Sequence, residues 1–403
     1  MTPNTTDAGG PLKGLRVLDI ATIIAGPSAA SLLADYGAEV VKLELPSGDG
    51  ARGFPPFKDG KPLWWKVINR NKKFVTLDLR KPAGVALFQR MLPRFDVLIE
   101  NFRPGTLDSW GLDRETLWAV QPRLVILRVT GFGQTGPYRD RPGFARIFEA
   151  MGGLAYITGD SKGPPMHAGY PIGDSIGGLF GTIGVLAALW KRARDPGAPG
   201  EEIDLSLTES VFKLMEFLAI RYDQLGEVHE RSGNLNQYSS PATVFRTADG
   251  RWVTLAGSTD ALYANNCRAI GRSDLIVAPE FRTNADRVRN SEPINAVFAQ
   301  WIASKTLAEV TAAFEAAQGT VAPIYSIDQV FDDPQMRARG FIRAVPDPDF
   351  GSVRMQDVVP RFTHDPCHVS SPAMALGHHN TEFFGALGVG AAELAELRKA
   401  QVI

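Results

Sequence analysis

Asp174 is the residue of this chain whose type and setting are best suited to covalent chemistry. It lies within Ile172–Gly178, directly before a long apolar stretch that predicts a helix. A carboxylate can act as a covalent nucleophile, and the positive end of a helix dipole stabilises its ionised form. Gly177 and Gly178 lack side chains, so a substrate could approach closely there. The position also suits an N-cap aspartate that satisfies free N–H groups of the helix, and the sequence leaves both interpretations open.

Other motifs give weaker signals. The segment Gly131–Gly136 fits GxGxxG, but the residues that follow it do not open a helix, so it predicts a glycine-rich loop and not a dinucleotide fingerprint. Neither an HExxH zinc motif nor a GxSxG nucleophile motif occurs. His167 lies in a loop shortly before Asp174 and suits a solvated residue as well as a catalytic one. A basic cluster with the same ambiguity, a solvated turn or a phosphate site, comprises Arg70, Lys72 and Lys73.

Strand and helix patterns alternate over the first 130 residues. Strands are predicted at 15–20, 39–43, 74–79, 96–99 and 124–129, with helices at 27–36 and 82–92. Such alternation favours an α/β fold whose parallel sheet is covered on both faces. Ligands of these sheets bind beyond the carboxyl ends of the strands. The loops predicted to matter are therefore 21–27, 69–73, 101–105 and 131–143.

The length of 403 residues suggests two or three domains. A strand at 203–207 and a helical pattern at 208–224 follow the long apolar helix. Beyond Gly226 the character changes, because TADG separates two short strand patterns as in a hairpin. We therefore assign 1–203 to a first domain, 204–227 to a linker helix and 228–328 to a smaller second domain.

Composition excludes several classes of protein. Hydrophobic residues make up 44% and charged residues 22%, as in globular proteins. A net charge of −1 gives no support to nucleic-acid or anionic-membrane binding. The two cysteines, Cys267 and Cys367, form neither a disulfide framework nor a CxxC metal motif. No metal site is predicted.

Targeting signals are not evident either. The start, MTPNTTDAGG, lacks an apolar secretory core and the arginines of a transit peptide. Ile176–Trp190 is the longest apolar candidate for a membrane span, but four glycines interrupt it and it is better explained as a buried helix. The chain is expected to be cytoplasmic, without a membrane partner.

The order of motifs along nearly the whole chain resembles the family III CoA-transferases, the group that includes formyl-CoA transferase. The segments that carry the resemblance are PLKGLRVLDI, DYGAEVVKLE, NRNKKFVTLDL, VLIENFRPG, LDSWGLD, GFGQTGPY, IGDSIGG, LSLTES, FRTADGRWV, DDPQMRARGF and LGHHNTEFFGALG. The resemblance implies a Rossmann-like large domain to which 329–403 return, with a smaller α+β domain inserted in it. It also implies an interlocked, ring-like homodimer.

The resemblance implies a reaction as well. Asp174 matches the family's nucleophilic aspartate, which takes the acyl group of a CoA thioester as a mixed anhydride and then forms an aspartyl-CoA thioester. The predicted partners are an acyl-CoA and a carboxylic acid. CoA thioester is then a substrate, and no tightly bound cofactor is predicted.

Further site residues follow from the same resemblance. Those matching segments that line the CoA site are Ile23, Ile24, Asn71, Lys72, Asn101 and Phe102. Formyl-CoA transferase has arginines where this chain has Leu45 and Ser109, so Arg70 or Lys73 is expected to contact the phosphates instead. Gly233 and Asn234 match the start of a mobile loop over the active site.

Substrate contacts are predicted less directly. Many family members carry an acidic residue after the aromatic of RPGF, whereas this chain has Phe144 followed by Ala145. Arg146 and His167 are expected to lie near Asp174 and to bind a distal carboxylate, which would favour a dicarboxylate such as succinate.

Two alternatives stay open. The related 2-methylacyl-CoA racemases use a His–Asp pair to move an α-proton, but their histidine falls at the position of Phe144, which cannot transfer a proton. A non-catalytic CoA-binding protein on the same fold is the second alternative, since a fold does not fix a function. Retention of Asp174 with its flanking glycines argues against it.

Overall fold

The structure is a computed structural model that describes residues 9–403. The chain divides into two compact units. The first unit contains the residues up to Leu154, together with Ala168–Ile220 and Arg337–Ile403. The second unit contains Ala155–His167 and Arg221–Met336. The sequence assigns 155–167 to the large domain, whereas here this segment belongs to the second unit.

The first unit contains most of the α/β elements. In chain order up to residue 213, the elements are β1 (Arg16–Asp19), α1 (Ala25–Asp35), β2 (Glu39–Glu44), β3 (Phe57–Lys58), β4 (Lys61–Pro62), α2 (Leu63–Ile68), β5 (Lys72–Thr76), α3 (Pro82–Met91), β6 (Val97–Glu100), α4 (Thr106–Ser109), α5 (Arg114–Val120), β7 (Val125–Thr130), α6 (Ala145–Met151), α7 (Leu154–Ile157), α8 (Ile172–Arg194), β8 (Glu201–Ser206) and α9 (Leu207–Lys213).

The remaining elements span the second unit and the C-terminal part of the first. They are α10 (Glu216–Leu225), β9 (Ala242–Arg246), β10 (Trp252–Ala256), α11 (Asp260–Ala269), α12 (Asn284–Arg289), α13 (Ser291–Ala303), α14 (Leu307–Ala316), β11 (Val321–Pro323), α15 (Ile327–Asp332), α16 (Pro334–Ala338), β12 (Ile342–Asp347), β13 (Gly351–Gln356), α17 (Asn380–Ala386) and α18 (Ala391–Lys399).

A six-stranded parallel sheet forms the centre of the first unit. Its strands lie in the order β5-β2-β1-β6-β7-β8. Counting only these strands along the chain, the order is 3-2-1-4-5-6, the arrangement of a Rossmann sheet. Strands β6 and β7 are buried along their whole length because hydrophobic clusters cover both faces of the sheet. The predicted α/β fold with a parallel sheet is confirmed.

The direction of strand addition reverses between β1 and β6. The chain adds β2 and β5 on one side of β1, then crosses to add β6, β7 and β8 on the other. The loops that follow β1 and β6 therefore diverge and leave a crevice at the carboxyl edge of the sheet. This crevice contains two of the predicted loops, 21–27 and 101–105.

The edge strand β5 is covered by the C-terminal segment. Phe74 donates its N–H to Nδ1 of His379 at 2.9 Å and accepts a hydrogen bond from the N–H of His379 at 2.9 Å. Thr76 donates its N–H to Oδ1 of Asn380 at 2.9 Å. These side chains replace a neighbouring strand, so the edge has no row of free backbone groups to pair with another chain.

Helix α8 is half buried, whereas the sequence predicts a buried helix. By length and composition it could cross a membrane, but half of its apolar window is buried inside the protein, as in the core helix of a folded unit. Its other face is apolar and exposed, including Leu179, Ile183 and Trp190. Part of the apolar surface of α8 is therefore left exposed by residues 9–403 of this single chain.

The segment 204–227 is not one linker helix. Residues up to Ser206 complete β8, because they pair with the end of β7 as far as Thr130 opposite Ser206. The side chain of Ser206 then accepts the N–H of Glu209 and starts α9. After Lys213 the helix is interrupted, and α10 begins at Glu216.

The second unit has its own core. Strands β9 and β10 pair antiparallel, with Ala242 opposite Ala256, which confirms the predicted hairpin, and β11 adds to β10. A hydrophobic cluster joins this sheet to the helices of the unit. Arg287 is fully buried beneath it, donates to the carbonyl of Ser240 at 2.9 Å and stacks over the ring of Tyr263.

Candidate active site

Asp174 is the third residue of α8 and lies inside its first turn. The N-cap of α8 is Pro171, which provides no side-chain cap. The interpretation of Asp174 as an N-cap is therefore wrong, because the helix starts three residues earlier than that interpretation requires. The residue is only 7% exposed, and within residues 9–403 no hydrogen-bond donor meets its carboxylate. A buried carboxylate without hydrogen bonds is costly when ionised.

A second carboxyl group lies beside this turn. Glu149 of α6 is 1% exposed, and its Oε1 accepts the N–H of Gly173 at 3.2 Å. Burial and, to a smaller extent, the charge of Glu149 together raise the pKa of Asp174 to about 7. The dipole of α8 acts the opposite way, because it favours the ionised form. Asp174 is thus poised to exchange a proton near neutral pH.

Gly177 and Gly178 serve packing, in contrast to the substrate space predicted for them. A Cβ atom at Gly178 would lie 2.8 Å from Cβ of Ser28 and 3.4 Å from the carbonyl oxygen of Ala25. A Cβ atom at Gly177 would lie 2.1 Å from a methyl of Leu207. These glycines let α8 approach α1 and α9 closely. Because Gly178 is about one helical turn beyond Asp174, the packing brings Asp174 towards the start of α1.

The loop between β1 and α1 is held in an unusual conformation. Ile23 has a φ of 70°, which is rare for a β-branched residue. Its N–H donates to Asp49 at 3.1 Å, and Asp49 is ion-paired with buried Lys42 at 3.3 Å. Asn101, from the loop after β6, accepts the N–H of Thr22 and donates to its carbonyl, both at 2.7 Å. Side chains from neighbouring strands thus fix this loop.

Lys72 supports the same loop from below. Its ammonium donates to Asp19 at 2.9 Å, to the carbonyl of Pro27 at 2.8 Å and to Asn69 at 2.8 Å. Burial lowers its pKa to about 8, although the charge of Asp19 opposes this shift. All three protons of the ammonium are therefore used within the protein. The direct CoA contact predicted for Lys72 would require one of these buried bonds to break, so the structure places Lys72 as a support.

A mostly apolar cavity of about 210 Å³ opens at the crevice. The side chains of Ile23 and Phe102 line it, and the ring of Phe102 lies edge-to-face with Trp110 at 5.2 Å. Ile24, the next residue of the same loop, is buried. The structure thus brings together four of the predicted CoA-site residues, since Asn101 fixes the same loop. The remaining walls come from the ends of β2 and β5: Leu43, Glu44, Leu45, Gly48, Asp49, Gly50, Leu77 and Leu79.

Arg70, Asn71 and Lys73 lie at the other edge of the sheet. Arg70 and Asn71 bond to Asp35, the last residue of α1. Helix α1 runs from the carboxyl end of β1 back to the start of β2, so Asp35 marks the amino edge. Lys73 pairs with Glu39, the first residue of β2, at 3.0 Å. The prediction of Arg70 or Lys73 as phosphate contacts is not supported, because a loop that leads into a parallel strand lies away from its carboxyl end.

Cations that the sequence analysis missed line a second cavity of about 490 Å³. Between Leu77 and Lys81 the chain alternates, with Leu77 and Leu79 facing the apolar cavity and Asp78 and Arg80 facing the polar one. The guanidinium of Arg80 donates two hydrogen bonds to the carboxylate of Asp78, at 2.7 and 2.9 Å. Lys81 and Arg398 also line this cavity. The alternating sequence LDLRK directly after a strand was the signal available for these residues.

The predicted substrate contacts fall in both units. Phe144 precedes α6 and is 70% exposed, and Arg146 is exposed on the first turn of α6. A Cβ atom at Gly173 would lie 3.3 Å from the carbonyl oxygen of Ala145, so this end of α6 contacts the first turn of α8. His167 and Gly233–Asn234 belong to the second unit, in which the N–H of Gly233 donates to Gly159 at 2.9 Å.

No metal centre is evident in the described part of the chain. Over residues 9–403, no three or more His, Cys, Asp or Glu side chains are grouped so that they could hold a metal ion.

The glycine-rich loop after β7 is fixed differently from a dinucleotide loop. The N–H of Gln134 donates to both carboxylate oxygens of Asp204 at 3.0 Å, and α6 begins only at Ala145.

Comparison with known proteins identifies the family. Residues 12–380 match the family model described as CoA-transferase family III. This chain belongs to the family III CoA-transferases. The match confirms both the family and the enzyme class predicted from the motifs.

Two similar proteins come from Chloroflexus aurantiacus. The chain is 40% identical to succinyl-CoA–D-citramalate CoA-transferase over 396 residues and 41% identical to the beta subunit of succinyl-CoA–L-malate CoA-transferase over 399 residues. In each case the alignment covers 98% of both chains. The crystal structure of a CAIB/BAIF family protein from Brucella suis superposes with a TM-score of 0.83 and 31% identity, covering 94% of this chain and all of that one.

The raised pKa of Asp174 predicts a pH-dependent effect on stability. Between the ordinary carboxyl pKa of 3.8 and about 7, the folded protein binds this proton more tightly than the unfolded chain, so Asp174 destabilises the fold as pH rises. We expect Asp174→Asn to increase the free energy of unfolding by about 1–3 kcal/mol near pH 8, and by much less near pH 5. Urea unfolding at both pH values measures this. Asp140→Asn, which changes an exposed carboxylate, is the control, and an equal effect of Asp174→Asn at both pH values would contradict the prediction.

Proposed function

We propose that this CoA-transferase moves CoA from an acyl-CoA donor to a carboxylic acid through covalent intermediates on Asp174. The observation that carries the proposal is the buried carboxylate itself, which receives no hydrogen bond from residues 9–403 and has a pKa of about 7. It lies in the same unit as the crevice of the parallel sheet. A carboxylate in such a setting is a nucleophile poorly stabilised by its surroundings.

The reaction proceeds in two mirrored halves. An oxygen of ionised Asp174 attacks the acyl carbon of the donor, the C–S bond breaks, and a mixed anhydride and the CoA thiolate form. The thiolate attacks the aspartyl carbonyl, the donor acid leaves as a carboxylate, and an aspartyl-CoA thioester remains. The acceptor carboxylate displaces the thiolate to form a new anhydride. The thiolate then takes the acceptor acyl group and restores ionised Asp174.

Burial favours this sequence of events. The ionised carboxylate is costly in its apolar setting, whereas the anhydride and the thioester are neutral. Forming either covalent species therefore removes the cost of desolvating a charge. No proton is gained or lost over the cycle, so the chain needs no general acid, and Phe144 at the racemase histidine position is no obstacle.

The substrates are inferred from the relatives. The names of the two Chloroflexus proteins give succinyl-CoA as donor and a hydroxylated dicarboxylic acid as acceptor. We infer the same substrate classes here, because each alignment spans 98% of both chains. An exposed arginine at the start of α6, Arg146, suits the distal carboxylate of such acids. The role of His167 in the same recognition stays a prediction.

CoA is assigned to the crevice, as a substrate and not as a resident cofactor. The apolar cavity with Ile23 and Phe102 suits the adenine ring. The polar cavity beside it suits a phosphate, because Arg80 is oriented by Asp78 and keeps further N–H groups for a ligand. Leu45 lines the apolar cavity, so the arginine that formyl-CoA transferase carries there is replaced by a wall for the ring.

The assembly is inferred to be a homodimer. A groove of about 750 Å³ lies along α8, α9 and α10, and Ile183 and Phe212 on its walls are exposed. Exposed apolar surface of this extent is typical of a protein interface, and the family resemblance implies a second copy of this chain as its occupant. Light scattering tests the assignment: a mass of about twice 43.8 kDa is expected, and a stable monomer would contradict it.

An exchange assay tests the proposed function. Purified protein is incubated with succinyl-CoA and a panel of carboxylic acids, and the CoA thioesters formed are separated by chromatography. We expect transfer to hydroxylated dicarboxylic acids, with parallel-line kinetics of a covalent intermediate. Asp174→Asn should lower the rate by at least about 10³-fold, since the nucleophile is lost. Exchange of an α-proton without transfer would instead support the racemase alternative, and CoA binding without either reaction would support the non-catalytic one.

The phosphate contact of Arg80 has its own test. Wild-type protein should prefer succinyl-CoA over its 3′-dephospho analogue, and Arg80→Ala should raise KM for succinyl-CoA about tenfold, the equivalent of one charged hydrogen bond. The variant should leave KM for the dephospho analogue nearly unchanged. Arg90→Ala, which removes an exposed arginine paired with Glu393, is the matched control. If Arg80→Ala raises KM by the same factor for succinyl-CoA and for its 3′-dephospho analogue, Arg80 does not contact the 3′-phosphate.

A further inference from the structure

Glu149 is a buried acidic residue that the sequence analysis did not consider. It is 1% exposed on α6, on the face that packs against the first turn of α8. Its Oε1 accepts the N–H of Gly173 at 3.2 Å, one of the N–H groups that the first turn of a helix leaves free. Glutamate is seldom buried to this degree in folded proteins. Because Glu149 is buried and bonded to Gly173, the residue before Asp174, we infer that it has a role at the site.

We propose that Glu149 is a positioning residue of the transfer reaction: it fixes the first turn of α8 through Gly173 and places a second carboxylate beside that of Asp174. The inference rests on the proposed function of Asp174. The hydrogen bond orients the peptide that enters Asp174, because Gly173 has no side chain to restrict its backbone. The charge acts on Asp174 across the contact between α6 and α8.

Two negative charges close together raise the free energy of the resting enzyme. When Asp174 becomes an anhydride or a thioester, it is neutral and the repulsion from Glu149 disappears. Glu149 thus shifts the equilibrium between free and acylated enzyme towards the covalent species. The same repulsion contributes to the raised pKa of Asp174, after the larger effect of burial.

The other helices against α8 supply little competing charge at this turn. On α1 the charged residue is Asp35, at its far end and bonded to Arg70. Helix α9 carries Glu209 and Lys213, which line the groove on the outer side of α8. Helix α6 itself also carries Arg146, which is exposed. Among these groups Glu149 is the one whose charge contributes to the raised pKa of Asp174.

Glu149→Gln separates the charge from the hydrogen bond. The amide oxygen of glutamine can still accept the N–H of Gly173, while the negative charge is removed. We expect the acid limb of the pH profile of exchange to move to lower pH, so that the ratio of the rate near pH 6 to that near pH 8 rises at least about twofold. The fraction of enzyme trapped as covalent intermediate near pH 8 should fall severalfold. Glu149→Ala should show both changes together with a lower kcat.

The controls distinguish this inference from the proposed function. Glu382→Gln, which neutralises an exposed glutamate, should leave the profile unchanged. If Glu149→Gln lowers thermal stability but leaves both the pH profile and the trapped fraction unchanged, Glu149 is only structural and the inference is overturned. If wild-type protein shows no exchange and no intermediate, the proposed function fails, whatever Glu149 does.

Discussion

The close approach of α8 to α1 is the contact on which the site depends. Gly178 permits it, because any larger residue would collide with Ser28. The contact places the first turn of α8 near the start of α1, and the loop that precedes α1 lines the crevice of the sheet. Asp174, the proposed nucleophile, and the inferred CoA site are thus linked through one pair of packed helices. Rigid helices fix such a separation more precisely than loops do.

Buried charge is concentrated around this contact. Asp19, Lys42, Asp49 and Lys72 form a network in which every carboxylate meets a cation, and the network holds Ile23 in its left-handed conformation. Asp174 differs, because the charge of Glu149 contributes to its raised pKa and no residue within 9–403 donates a hydrogen bond to its carboxylate. The paired charges build a stable frame at the cost of desolvation. The ionised carboxylate of Asp174 carries a desolvation cost as well, and the proposed covalent chemistry at Asp174 would relieve it.

Much of the fold could be predicted from the sequence, because the strands of a doubly covered parallel sheet are continuous apolar runs. The site could be predicted only in part. Ile23 and Phe102 line one cavity and Asn101 fixes the same loop, whereas the roles of these residues and of Asp174 stay predictions. The prediction that Arg70 or Lys73 contacts the phosphates is not supported, because the sequence pattern does not show at which edge of the sheet a loop lies. Glu149 was missed because its burial is known only from the packed structure. Arg80 was missed because the alternation of residues 77–80 has a meaning only once the two cavities are known.

Covalent CoA transfer through Asp174 is tested most directly by trapping the intermediate. Purified protein is incubated with succinyl-CoA, hydroxylamine is added, and the modified peptide is identified by mass spectrometry. We expect a hydroxamate on Asp174 that forms only in the presence of the thioester and is absent from Asp174→Asn. Efficient CoA transfer with Asp174 unmodified, or with the hydroxamate on another residue, would contradict it.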